Sequence, residues 1–177
     1  LLACAPAGSS RAQRPDELDQ ARRHFDAGLE HARRGGWDAA ALAFAQAYAL
    51  APRAAVLFNL AGAQLRTGHM LESHANYHRF LRLEDPSITR AHRTAVQRQI
   101  DHIEQRIPRL RVSIEGLGPQ DRVLLDKQRL YVNDLDLDQW VNPGAHVVTV
   151  YRVDGATQVH RVTVVEGEHK TLAIRLR

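Results

Sequence analysis

Residues 28–52 read GLEHARRGGWDAAALAFAQAYALAP, and this stretch decides the first part of the fold. Two apolar-periodic runs flank Gly35-Gly36, and Pro52 stops the second because its ring cannot continue a helix. The stretch predicts a helical hairpin. Small residues stand where its two helices would touch: Gly28 on the first, Ala40 and Ala47 on the second, with Phe44 filling the space between. At a spacing of 34 residues, Gly62 repeats Gly28 and Pro86 repeats Pro52. The second helix of this later unit aligns best after a shift of one residue. Ser73, Tyr77, Phe80 and Leu83 then stand for Ala40, Phe44, Ala47 and Leu50. The turn Arg34 to Asp38 reads as one residue longer than the turn Arg66 to Met70, and the residue is restored at Glu84-Asp85. Repetition at this period indicates stacked helical hairpins, here at about residues 16–52 and 53–86.

The small, aromatic and proline positions of these units resemble the tetratricopeptide (TPR) signature. The resemblance implies a concave face, made by the first helices, that binds extended peptides. By the repeat alignment that face carries Arg22, Phe25, Leu29, Arg33, Val56, Asn59, Ala63 and Arg66. An apolar strip flanked by arginines suits a peptide with acidic groups or a C-terminal carboxylate. The clamp of carboxylate-binding TPRs is not reproduced as a set; only Asn59 matches it. A fifth helix is expected from about residue 86 to 107, with Asp85 as its cap and Pro86 in its first turn. Val96, Ile100, Ile103 and Ile107 form one apolar stripe. Val96 stands where a third repeat needs a small residue, so this helix reads as a closing cap for the array. Arg90, Arg93, Arg98, Asp101 and Glu104 read as its solvated face.

Pro108 disfavours helix at Ile107, and the period then changes to two. Leu110, Val112 and Ile114 alternate with polar residues, and so do Leu172, Ile174 and Leu176. Val123-Leu124-Leu125 is a short strand ending at Asp126, and Asp154-Gly155 joins strands at about 146–153 and 157–165. Several short strands with frequent turns predict a small antiparallel sandwich over residues 108–177. The fold class is thus α+β. Asn142-Pro143-Gly144-Ala145-His146, followed by Val148 and Val150, resembles the strand entry of PEGA domains. Val123 to Asp126 resembles that family's strand before a tight turn, although Lys127 replaces the usual glycine. The resemblance implies an envelope-associated β module without enzymatic activity. The pairing with TPR-like repeats resembles envelope proteins of myxobacteria.

The only cysteine is Cys4, which excludes an internal disulfide and a cysteine-based zinc site. Leu1-Leu2-Ala3-Cys4 resembles a bacterial lipobox. That resemblance implies cleavage before Cys4, lipid on it, and membrane anchoring on the periplasmic side of the cell envelope. Ala5 in place of Asp resembles outer-membrane lipoproteins, and residues 1–15 then end in a flexible tether. Ser10-Arg11-Ala12 offers the alternative of ordinary secretory cleavage to a secreted or soluble periplasmic product. In the 177 residues, 44% are hydrophobic and 25% charged, as in folded globular proteins. The net charge of +4 is spread among acids rather than gathered into a basic face, which argues against a nucleic-acid binder.

His74 and His78 are four residues apart, with His69 and Glu72 nearby, but no His-Glu-x-x-His pattern exists. The sequence therefore assigns no metal and no cofactor. Asp134, Asp136 and Asp138 alternate as calcium ligands could, yet no glycine turns the loop. With Leu135 and Leu137 between them they read as a half-buried edge strand. No nucleophile elbow, phosphate loop or dinucleotide fingerprint is present, so no catalytic residue is assigned. The expected function is a non-catalytic adaptor binding a protein or peptide. The alternative is a carbohydrate- or cell-wall-binding module in which Trp140 and Tyr151 stack on a glycan.

Overall fold

The structure, a computed structural model, describes residues 15–176. Cys4 and the tether expected before residue 15 lie outside the described residues. Among the described residues, five helices come first: α1 Pro15–Arg33, α2 Trp37–Leu50, α3 Ala54–Arg66, α4 Met70–Leu81 and α5 Arg90–Glu104. Seven strands follow: β1 Arg109–Glu115, β2 Arg122–Leu125, β3 Gln128–Leu130, β4 Asp138–Trp140, β5 Gly144–Tyr151, β6 Thr157–Val164 and β7 His169–Arg175. The chain is α+β, with the change of class at Pro108.

The first hairpin closes on Gly28. A Cβ there would stand 2.5 Å from Phe44 Cε1, so only glycine allows α1 and α2 to approach this closely. Ala40 and Ala47 are completely buried on the facing helix. The second hairpin repeats this packing in a different register from the expected one. Its turn is not shorter. Residues 34–36 and 67–69 both link their helices, Gly35 and Gly68 share a left-handed φ of 76° and 78°, and Gly36 and His69 share φ −80°. The two units therefore superpose at a constant spacing of 33 residues, without a slip. Ala61, fully buried, takes the place of Gly28, and Ala54 takes that of Ala21. The Phe58–Tyr77 contact at 5.9 Å matches Phe25–Phe44 at 5.7 Å. Gly62 lies one position, about 100°, further round the helix. There a Cβ would meet only the Tyr77 hydroxyl, at 3.6 Å.

The fifth helix begins later than expected. Thr89 is its N-cap, accepting from His92 N at 3.2 Å while His92 Nδ1 accepts from Thr89 N. Asp85 instead closes a turn, taking both Ser87 N and Ser87 Oγ. Those bonds hold the Asp85 carboxyl below the usual carboxylate range. The Val96, Ile100, Ile103, Ile107 stripe is buried against α3 and α4, in one core with Leu57, Ala61, Met70, Tyr77 and Phe80. Arg93 and Glu104 of the expected solvated face reach beyond α5. The Arg93 guanidinium donates to the carbonyls of Leu81 and Leu83, satisfying the open C-terminal end of α4. Glu104 turns toward α4.

The strands form two sheets, β4-β1-β7 and β3-β2-β5-β6. The second is antiparallel, whereas the first is mixed, because β1 and β7 run parallel from Arg109↔His169 to Glu115↔Arg175. This corrects the expected all-antiparallel arrangement. Parallel neighbours need a long crossover, and the whole second sheet supplies it between the first and last strands. Leu110, Val112 and Ile174 from one sheet share a core with Val123, Val148, Val150 and Val164 from the other. The edge strand expected over residues 133–138 is mostly absent. Val132–Asp134 is a 3-10 turn, Asp136 takes a left-handed φ of 61°, and pairing starts only at Asp138. Asp134 accepts from Tyr131 N and Asp138 pairs with Arg111, so these carboxylates point to different partners.

Loops between the strands also cap the helices. Asn142 Oδ1 accepts from Leu71 N at 2.9 Å and Asn142 Nδ2 donates to Glu72 Oε2 at 2.8 Å. The Asn142 side chain thus satisfies an open backbone N–H in the first turn of α4 from the loop between β4 and β5. His146 holds Asn142 in place: Nε2 lies 2.7 Å from Asn142 O and Nδ1 lies 2.8 Å from Asp126 Oδ2. Beyond the end of α5, Gly167 N donates to Arg106 O and Glu166 pairs with Arg106.

Candidate functional site

α3 and α5 stand on either side of α4 and leave a groove between them. Phe58 forms its centre. It is 41% exposed, and its ring meets Tyr77 and Phe80 beneath at 5.9 and 6.0 Å. On one side of Phe58 lies a cavity of about 340 Å³ lined by Ala54, Ala55, Asn59, Phe80, Ile88 and His92, among others. On the other side a cavity of about 230 Å³ reaches Gly62, Arg66, Tyr77 and Gln99. Ala95 borders both. The first cavity has an almost wholly apolar wall because α3 and α5 turn alanines toward it, leaving space that larger side chains would fill. Burial pushes the Tyr77 hydroxyl up from its ordinary range, so it stays neutral in this floor.

The structure separates the residues expected on the concave face. Asn59 and Arg66 line the groove, one on each side of Phe58. Asn59 Nδ2 donates to Ala55 O, and the Arg66 guanidinium lies over the Trp37 ring at 5.0 Å. Phe25 and Leu29 pack instead with Ala40, Phe44 and Leu60 in the core of the first hairpin. Val56 and Ala63 are buried and available to nothing outside. Arg33 pairs with Glu30 at 2.9 Å, and Arg22 is exposed on α1, outside both cavities. Phe58 was the missing residue. The expected 34-residue spacing put Asn59 opposite Phe25, whereas the 33-residue spacing makes Phe58 its counterpart.

A second cluster lies where α4, α5 and β4 meet. His74 Nε2 is 2.8 Å from Glu104 Oε1, and His78 Nε2 is 3.2 Å from His74 Nε2. Trp140 sets its ring edge-on to His74 at 5.3 Å. His69 and Glu72 are not part of it. His69 Nδ1 bonds Thr67 Oγ1, and Glu72 belongs to the Asn142 cap. Comparison with family models, curated proteins and solved structures gave no match. Trp140 and Tyr151 are both more than one-third exposed, so neither is a core residue. They are in different places. Trp140 borders a cleft with Asp126, Lys127, Gln128 and Asn142, whereas Tyr151 lies beneath Arg122.

Proposed function

We propose that this chain is a non-catalytic adaptor whose α3–α5 groove receives a peptide segment of a protein partner. The observation that carries the reading is Phe58, a large aromatic left 41% exposed between two cavities. An apolar side chain of the segment fills the alanine-lined cavity. A carboxylate of the same segment meets Arg66 at the other end of the groove. We read the helical hairpins as TPR-type repeats closed by α5. The equal turns and the repeated packing of Phe25 on Phe44 and Phe58 on Tyr77 support this, while the spacing of 33 residues is one short of the TPR period. We read the two sheets as a PEGA-like sandwich, supported by their common core and by the Asn142–His146 strand entry. Leu1 to Cys4 supports lipid attachment in a bacterial envelope.

Selection of a displayed peptide library on the full chain tests the groove. The selected peptides should share an apolar residue followed by an acid or a free C-terminus. Phe58→Asp should abolish their binding and Arg22→Ala should leave it intact. Binding indifferent to Phe58→Asp refutes the assignment. The cleft beside Trp140 favours a second reading, glycan binding, because an exposed ring next to polar groups suits a sugar face. Retention of the chain on peptidoglycan that disappears in Trp140→Ala would support it.

A further inference from the structure

The geometry points to a divalent transition-metal site formed by His74, His78 and Glu104. Three features of this cluster go beyond a surface hydrogen bond. First, its donor atoms already converge. His74 Nε2, His78 Nε2 and Glu104 Oε1 are separated by 2.8, 3.2 and 3.9 Å. Ligands about 2.0–2.1 Å from a tetrahedral zinc ion stand roughly 3.3 Å apart, so these separations bracket what the ion requires. Among the described residues, no other group of three such side chains converges in this way.

Second, the charges call for a cation. Glu104 is the last residue of α5, where the helix dipole places partial negative charge. Among the described residues, neither Lys nor Arg pairs with it; its partners are the two histidines. The two imidazole Nε2 atoms face each other, and only one of them can present a hydrogen along that contact. A dication placed among the three donors accepts a lone pair from both rings and neutralises the carboxylate.

Third, the ligands are held from different elements. His74 and His78 lie four residues apart, on one face of α4. α5 brings Glu104 to them, and Trp140 on β4 fixes the His74 ring from the side. His78 and Glu104 stay partly exposed, at 38% and 42%, so ions can enter and a fourth position faces water. Two imidazoles and one carboxylate with an open position form a zinc-type donor set; magnesium and calcium prefer all-oxygen shells. The bound ion would join the second hairpin to the end of α5, beside the β part.

Calorimetric titration of the full chain with ZnCl2 tests the site, alongside Co2+ absorption spectra. The expected result is one equivalent bound, a higher melting temperature, and visible Co2+ bands of a four- or five-coordinate ion. His78→Gln and Glu104→Gln should each weaken binding by more than about tenfold, since loss of even an outer-shell partner costs 10–100-fold. Both positions are partly exposed, and circular dichroism of the metal-free variants should match the parent. Cys4→Ser should bind normally. No stoichiometric binding, or binding lost in Cys4→Ser but kept in His78→Gln and Glu104→Gln, overturns the proposal.

Discussion

A methyl group added at Gly28 would meet Phe44 Cε1 at 2.5 Å, whereas one at Gly62 would meet only a hydroxyl at 3.6 Å. Gly28→Ala should therefore force the first hairpin apart, at about 1–3 kcal/mol. Gly62→Ala should instead stabilise by about 0.5–1 kcal/mol, through the lower entropy of the unfolded chain. Urea titrations of the two variants check this, and equal losses would restore Gly62 as the counterpart of Gly28. Asp121 gives a pH dependence. Its carboxylate accepts from Gly118 N and Val153 N, and these bonds hold it below the usual carboxylate range. A lowered folded value means that this stability is complete above the unfolded value of about 4 and is lost as pH falls through the lowered one. The melting-temperature gap between the parent and Asp121→Asn should be wide at neutral pH and close in acid. A gap constant across that range would contradict it. At this scale Gly28 was legible because its neighbour Phe44 is in the same hairpin and its spacing is diagnostic. Phe58 was not, because the glycine at 62 drew the alignment one residue out of register and a buried alanine carries no signal of its own.

The elements were legible where pattern alone defines them. The five helices and the Asp154-Gly155 hairpin follow from periodicity and turn residues. Their ends were less so. Pro86 looks like a helix start, yet Thr89 and His92 form the cap three residues later, and Asp85 serves a turn. Strand direction was hidden because alternation is the same in parallel and antiparallel strands, so nothing in Leu110-Val112 or Leu172-Ile174 announces that β1 and β7 run together. Lys127 is tolerated after Asp126 for a similar reason. The left-handed residue is Asp126 itself, with φ 54°, and its carboxylate takes Val147 N. The α4 cap supplies this scale's prediction. Asn142→Ala removes the acceptor for Leu71 N and should cost about 1 kcal/mol. A double-mutant cycle with Glu72→Gln should show coupling; additive losses would mean that the two side chains act independently.

In the whole molecule, contacts distant in sequence join the helices to the strands. Asn142 caps α4 from 71 residues away, Gly167 and Glu166 hold Arg106, and Trp140 leans on His74. Glu104 reaches His74 across 30 residues. No local pattern encodes such pairings, which is why the sequence pointed to His69 and Glu72 as companions of His74 when both are engaged elsewhere. The groove has the same origin. It exists because α5 packs over α4 and stands opposite α3, so Ala95 and His92 join Phe58 only in three dimensions. Arg66 bounds one end and Ile88 the other, and among the described residues the β part lends it no lining residue. The adaptor reading therefore places recognition on the helices. Amide chemical-shift mapping of the full chain with a selected peptide tests that claim most directly. Perturbations are expected over Ala54–Gly62 and His92–Gln99. Perturbations confined to α1, or to the cleft around Trp140, would contradict it.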